Sequence, residues 1–183
     1  MVGTLHRPYP LELASTAAAS APTLGNVVGE PLRLWDMLLG ISPGSIGETY
    51  VIAILCGEIL LLETGVASWK TKLSVFVGSA FMAFIFNVFG SATNPMAQMP
   101  WYEHLILGGF CFGAVFMATD PVTSARTETG KYIFGFLIGV MAIVIRVLNP
   151  GYPEGMMLAI LLMNIFAPLI DYYVVDANIR RRK

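Results

Sequence analysis

Apolar residues in this chain form long runs separated by short polar connections. A helix that crosses a bilayer needs roughly 20 mostly apolar residues, because about 30 Å of hydrocarbon is crossed at about 1.5 Å per residue. The pattern predicts an all-α integral membrane protein with about five transmembrane helices. The five runs that reach or approach the required length cover residues 49–65, 73–90, 101–119, 132–148 and 155–175.

The segment before these runs has a different character. Residues 1–48 are rich in small residues and proline, and they include an apolar stretch at 32–39 that is too short to span. A stretch of that kind suits a helix lying at the membrane interface. We therefore expect an outer-face N-terminal segment at 1–48 with a short interfacial helix, followed by a five-helix membrane domain at 49–183.

Composition supports a membrane protein and excludes several other classes. Hydrophobic residues make up 56% of the chain and charged residues 13%, with a mean hydropathy of +0.69, whereas soluble domains carry about twice that charged fraction. This apolar content excludes intrinsic disorder. The net charge of −1 and the single basic cluster at 180–183 argue against nucleic-acid binding. The two cysteines and two histidines have no metal-ligand spacing, so no metal site is expected.

Lysine and arginine residues predict the orientation in the membrane. Of the eleven, eight are expected on one side and two on the other, and Arg146 lies within a span. Because positively charged connections face the cytoplasm, we expect the N-terminus outside and the C-terminus in the cytoplasm. The eight are Lys70, Lys72, Arg126, Lys131, Arg180, Arg181, Arg182 and Lys183.

The combination of five spans and an external N-terminus suggests a particular architecture. Many membrane transporters consist of two repeats that lie in the membrane in opposite orientations. A five-helix unit occurs once in this sequence. We therefore expect one half of an inverted-repeat fold of ten helices.

Glu58 and Arg146 lie inside predicted spans, where charge is costly and by default points to function. Glu58 lies about eight residues into the first span, roughly 12 Å below the outer surface. It is a candidate for a cation path, or else a hydrogen-bonded structural carboxyl. Arg146 lies near the outer end of the fourth span, where it can snorkel or pair with Glu48, Glu58 or Glu154.

A third candidate combines a proline with a carboxylate near the inner end of the fifth span. Pro168 has no N–H, so the carbonyl of Asn164 loses its usual helical donor. That oxygen and the carboxylate of Asp171 are the kind of ligand that hard cations, Na+ among them, favour. The alternative is an aspartate that simply reaches the cytoplasmic interface.

Three stretches of the sequence resemble a known family. They are GISPGSIGETYVIAILCGEILL at 40–61, FNVFGSATNPMAQMPWYEHLILGGFCFGAVFMATDPVTS at 86–124, and IRVLNPGYPEGMMLAILLMNIFAPLIDYYVVDANIRRRK at 145–183. Together they closely resemble the C-terminal half of the B subunit of the Na+-translocating NADH:quinone oxidoreductase. They resemble more weakly the D subunit of the Rnf electron-transport complex.

The resemblance implies a membrane subunit of a respiratory pump in the bacterial inner membrane. In that family complex another subunit oxidises NADH, electrons reach ubiquinone through flavins and iron–sulfur centres, and Na+ moves outward. The implied cofactors are FMN and riboflavin, and the implied partners are the other subunits and quinone. Asp171 matches an acidic position that the family associates with Na+ uptake, and Glu58 stands in a matching segment.

The chain departs from the family at the site of flavin attachment. The family carries FMN on the threonine of an S-G-A-T motif, commonly followed by Pro-Leu. Here Pro10 and Leu11 match that Pro-Leu pair, but Tyr9 occupies the position of the threonine. The family's first half is also missing, so covalent FMN is not expected in this chain.

These observations together predict a C-terminal half-subunit that contributes to the Na+ path and to the flavin and quinone region. The sequence shows no catalytic residue, and we do not expect activity from the chain alone. One alternative is a non-redox channel or transporter built on the same unit. Another is a structural half-subunit that assembles with a separately encoded first half.

Overall fold

The computed structural model describes Trp35 and residues 38–40, 47–90, 95–149 and 154–182. Regular structure in these residues is helical, and no strand occurs among them. This confirms the all-α class expected from the sequence. The helices are α1 (Val51–Glu63), α2 (Trp69–Phe89), α3 (Pro95–Gln98), α4 (Trp101–Ile106), α5 (Phe110–Phe112) with the π-helical turn Gly113–Met117, α6 (Glu128–Leu148) and α7 (Met156–Arg182).

Three helices within the described residues are long and apolar enough to cross a membrane. They are α2 and α6, with 21 residues each, and α7, with 27 residues. They correspond to the apolar runs at 73–90, 132–148 and 155–175. Helices α2 and α6 each begin four residues before the corresponding apolar run, because each starts with a polar turn that the hydrophobic pattern does not include.

The first predicted span is shorter in the structure than in the sequence pattern. Helix α1 has 13 residues, or about 20 Å at 1.5 Å per residue, which is less than the hydrocarbon thickness. It ends where Gly65 adopts a positive φ of 70°, a conformation that commonly terminates helices because glycine has no Cβ. The N–H of Thr64 donates to the Leu60 carbonyl at 3.0 Å and completes the last turn.

The third predicted span is interrupted rather than continuous. Helix α4 ends at Ile106, Leu107 is extended, and Gly108 has a φ of 70°. The chain then resumes as α5 and passes into the π-helical turn Gly113–Met117. Broken helices at membrane depth are tolerated where neighbouring groups satisfy the freed backbone atoms, so the contacts around this break bear directly on function.

Helices α2 and α6 are parallel and pack at very short range through small residues. A Cβ on Gly135 would collide with the Thr71 carbonyl, and a Cβ on Gly139 would collide with the Val75 carbonyl, so residue numbers rise together along the two helices. Glycine at such contacts lets two helix backbones approach closely, which is the usual way that membrane helices associate. Because the two helices point the same way, the chain between them must return across the bundle.

The remaining segments complete an alternating arrangement. The interrupted segment α4–α5 makes the return between α2 and α6. Helix α7 is antiparallel to α6, since Gly155 lies against Ile145 at one end and Asp171 bonds to Thr127 at the other. Helix α1 runs in the direction of the interrupted segment, because Glu48 just before α1 lies against Gly109 and Gly57 within α1 lies against Phe116. Within the described residues, consecutive segments from α1 to α7 therefore run in alternating directions, and three of them are long enough to span a membrane.

The core lies between α2, α5, α6 and α7. The outward faces of the long helices are apolar instead of polar, and Phe84, Leu161 and Ile165 are each more than half exposed. Such faces are covered by lipid or by other helices in membrane proteins. Buried members of the main core cluster include Val75, Phe110, Ala114, Phe134, Ile138, Met156 and Ile160.

Candidate functional site

The Asp171 carboxylate is engaged by the connection that precedes α6. Its Oδ1 accepts hydrogen bonds from the Thr127 hydroxyl at 2.6 Å and the Thr127 N–H at 3.0 Å. Its Oδ2 accepts one from the Arg126 N–H at 2.8 Å. These three donors fix the position of the carboxylate at the end of the bundle where α2 and α6 begin.

The same contacts tie α7 to the start of α6. The Thr127 hydroxyl accepts a hydrogen bond from the Gly130 N–H at 3.1 Å and so caps α6. A Cβ on Gly130 would lie 2.7 Å from Asp171 Oδ1, so glycine is needed for the aspartate to approach. Asp171 thus has an anchoring role in this conformation, and a cation bound there would have to share or replace the donors of Arg126 and Thr127.

Pro168 lies inside α7, as the sequence pattern predicted. Because proline has no N–H, the Asn164 carbonyl lacks the helical donor that residue 168 would otherwise supply. Asn164 is partly buried. Its carbonyl therefore offers an oxygen without a helical donor, on the same helix as Asp171 and seven residues before it.

Glu58 forms an ion pair with Lys72 inside the bundle. Lys72 Nζ lies 3.9 Å from Glu58 Oε1, and the lysine side chain is 3% exposed against 20% for the glutamate. The expectation that Lys72 lies in a connection after the first span is wrong. Lys72 belongs to the first turn of α2 and is buried, because α2 begins before its apolar run.

Arg146 holds the broken helix together. It is 1% exposed, and its Nη1 donates to the His104 carbonyl at 2.5 Å while its Nη2 donates to the Leu107 carbonyl at 3.4 Å. The guanidinium also lies 5.9 Å from the centre of the Phe110 ring. The break in the helix frees these two carbonyls, and an arginine, with five donors, is well suited to satisfy them. Arg146 does not snorkel.

His104 links the broken helix to the preceding segment. Its side chain is fully buried, and Nε2 lies 3.1 Å from the Met96 carbonyl. Nδ1 is buried without a hydrogen-bond partner among the described residues. On the other side of that segment, Asn87 donates to the carbonyls of Ala97 and Met99 at 2.9 and 2.7 Å. Side-chain contacts with backbone carbonyls therefore organise the whole turn.

Two carboxylates lie beside the break. A Cβ on Gly109 would lie 2.5 Å from Glu48 Oε1, so glycine is required where the glutamate packs. That oxygen is buried without a hydrogen-bond partner in the part of the chain described. Burial, together with the charge and hydrogen bond of Glu154, raises the pKa of Glu48 from 4.5 to about 7. Glu154 also interacts electrostatically with Arg146.

Sequence reasoning did not identify the broken helix as a site. It considered Arg146 only as a snorkelling residue or as the partner of an acid, whereas the observed partners include backbone carbonyls about forty residues earlier. The available signal was the pair Gly108-Gly109 in the middle of an apolar run. Gly108 adopts the positive φ that breaks the helix.

Residues 5–180 match the sequence profile of the NQR2, RnfD, RnfE family. The match covers nearly the whole chain. The chain belongs to this family.

Curated relatives in the family are named as the B subunit of Na(+)-translocating NADH-quinone reductase. The protein of Chromohalobacter salexigens is 56% identical over 169 residues, which are 92% of this chain and 41% of the relative. The protein of Klebsiella pneumoniae is 55% identical over 172 residues, or 93% and 42%. That of Pseudomonas aeruginosa strain LESB58 is 54% identical over 168 residues, or 92% and 42%.

The chain spans about two fifths of the length of these relatives. This share agrees with the half-length unit expected from the sequence.

Tyr9 and most of the segment 1–48 lie outside the described residues, so the flavin-attachment position has no structural account. One hydrogen bond falls within the expected interfacial helix. The Leu39 N–H donates to the Trp35 carbonyl at 2.9 Å, and this four-residue separation is that of an α-helical turn.

Proposed function

We propose that this chain is the C-terminal half of the B subunit of a Na+-translocating NADH:quinone reductase and contributes half of its Na+ path. The observation that carries the proposal is the 54–56% identity over more than nine tenths of the chain to proteins of that name. The Glu58–Lys72 pair, of which the lysine is buried, and the broken helix support it. Charged side chains and discontinuous helices within a bundle are typical of ion-transporting membrane proteins.

Asp171 and Glu58 are the proposed cation-binding residues of this path. Asp171 lies at the end of the bundle that also carries Lys70, Arg126 and Lys131, which we call the basic end. Since positively charged connections face the cytoplasm, the basic end is proposed to be cytoplasmic and Asp171 to meet Na+ first. Glu58 lies further into the bundle on α1.

The chain is proposed to work as part of a larger assembly in the bacterial inner membrane. Oxidation of NADH and reduction of ubiquinone involve other subunits and the other half of this one, because an inverted-repeat site is shared between the halves. FMN and riboflavin are cofactors of the assembled subunit in this proposal. No residue in the described part of the chain is assigned to a flavin, and Tyr9 in place of threonine argues against covalent FMN on this chain.

The test is the Na+ dependence of quinone reduction by the assembled complex. Asp171→Ala removes the proposed first ligand, so the Na+ concentration that gives half of the full stimulation should rise by about tenfold or more, which corresponds to roughly 1.4 kcal/mol of lost Na+ binding. The matched control is Asp176→Ala. Asp176 lies five residues later on the same helix and pairs with Arg180 at 2.8 Å, and its removal should leave the Na+ dependence unchanged.

A structural half-subunit is the second candidate, because the chain spans only about two fifths of its relatives. It predicts a different result in the same experiment. A complex with Asp171→Ala that assembles and keeps its full response to Na+ would favour this role. Asp171 would then act only through its bonds to Arg126 and Thr127.

A further inference from the structure

Lys72 is a buried lysine whose environment is unusual. Its side chain is 3% exposed, and Nζ has no hydrogen-bond partner among the described residues. Lysine is almost never fully buried unless it is paired. In the first turn of a membrane helix, an amine with three unused donors is costly to maintain. The position therefore calls for an explanation beyond packing.

The nearest opposite charge only partly compensates this lysine. Glu58 Oε1 lies 3.9 Å from Nζ, which is beyond hydrogen-bond distance but close enough for electrostatic attraction. Within the described part of the chain, Glu58 is the acidic side chain at ion-pair distance. The two groups belong to different helices, α1 and α2. The pair is thus held by charge and not locked by direct hydrogen bonds.

We propose that Lys72 is a built-in counter-ion that competes with Na+ for the Glu58 carboxylate. This inference rests on the proposed role of Glu58 in the cation path and adds a regulation of that site. Without Na+, the ammonium neutralises the carboxylate in a poorly hydrated environment. When Na+ binds to Glu58, the ammonium moves away, so the bundle never holds an uncompensated negative charge.

The chemistry of lysine fits this exchange. Its ammonium is a compact point charge on a flexible four-carbon chain, and a position in the first turn of α2 places it close to the basic end. From there the side chain can extend toward the interface when Glu58 is occupied. An arginine would bind the carboxylate through two parallel bonds and would exchange less readily.

The test is a titration of quinone reduction with Na+ in the assembled complex carrying Lys72→Met. Removing the competing charge should lower the half-saturating Na+ concentration by at least about fivefold, because the charge attraction at this distance is about 1 kcal/mol even in water and is stronger for a buried pair. Lys72→Gln is the second variant, in case methionine prevents assembly, and should give the same shift. The matched control is Lys131→Met, since Lys131 pairs with Glu128 at the protein surface and should leave the titration unchanged.

A second measurement avoids turnover. Because Na+ binding stabilises the folded complex, the melting temperature should rise with Na+ concentration. The Na+ concentration at the midpoint of this rise should be lower in Lys72→Met than in the wild type. An unchanged or higher Na+ requirement in both lysine variants would overturn the inference and leave Lys72 as a packing residue.

Glu58→Gln separates the two levels of the proposal. A weakened Na+ response in Glu58→Gln, combined with an unshifted titration in Lys72→Met, would contradict only the competition. If Glu58→Gln responds to Na+ as the wild type does, Glu58 is not on the cation path, and both the proposed role and the inference fail.

Discussion

At the scale of single residues, charge inside this bundle is handled in three different ways. Arg146 is satisfied by backbone carbonyls, Lys72 is only partly compensated by Glu58, and Asp171 accepts bonds from a connecting segment. The sequence pattern marked Glu58, Arg146 and Asp171 as candidates, because charge stands out in an apolar run. It missed Lys72, since a lysine next to a connection looks solvent-exposed when the start of the helix is unknown.

Glu48 gives a prediction about pH at this scale. The folded protein binds its proton more tightly than the unfolded chain does, because its pKa is raised from 4.5 to about 7. Its contribution to stability is therefore fully present below about pH 4.5 and is lost as the pH rises through about 7. Glu48→Gln stays neutral, so we expect its melting temperature to fall less than that of the wild type between these two pH values.

Thermal unfolding of the purified chain in detergent at several pH values measures this effect. Glu63→Gln is the control, since Glu63 lies exposed at the end of α1 and should follow the wild type. A melting temperature whose pH dependence is identical in the wild type and Glu48→Gln would show that Glu48 keeps its ordinary proton affinity.

At the scale of elements, the apolar runs located helices but not the interruption of one of them. The long helices α2, α6 and α7 follow from runs of sufficient length. The break after α4 lies within an apolar run, so hydropathy continues across it. What makes the break stable is Arg146, which comes from α6. A contact between residues so distant in sequence is not visible in any local pattern.

The parallel packing of α2 on α6 yields a second prediction. A methyl group at residue 139 would meet the Val75 carbonyl and would lie 2.6 Å from the Ser79 nitrogen. Both are backbone atoms, so the helices would have to separate. We expect Gly139→Ala to destabilise the chain by about 1–3 kcal/mol, as overpacking usually does.

Thermal or denaturant unfolding in detergent measures that destabilisation. Thr129→Ala is the control on the same helix, because Thr129 is exposed and its truncation should change stability by less than about 0.5 kcal/mol. An equally stable Gly139→Ala variant would mean that α2 and α6 do not approach as closely as the structure indicates.

At the scale of the whole molecule, the described residues contain three helices long enough to span a membrane, together with a short helix and a broken one. The half of an inverted repeat stays a prediction, and the relatives are more than twice as long as this chain. A half-length unit exposes apolar faces that a second half can cover. The proposed Na+ path therefore depends on assembly, and its carboxylates contribute only one side.

Sodium uptake into proteoliposomes that contain the assembled reductase tests the central claim most directly. The comparison is between the wild type and the double variant Asp171→Ala with Glu58→Gln, with NADH added and quinone present. We predict that the double variant loses at least about nine tenths of its rate of sodium uptake, equivalent to roughly 1.4 kcal/mol of activation free energy, while the complex still assembles. Sodium uptake at the wild-type rate in the double variant would contradict the claim that this chain carries part of the Na+ path.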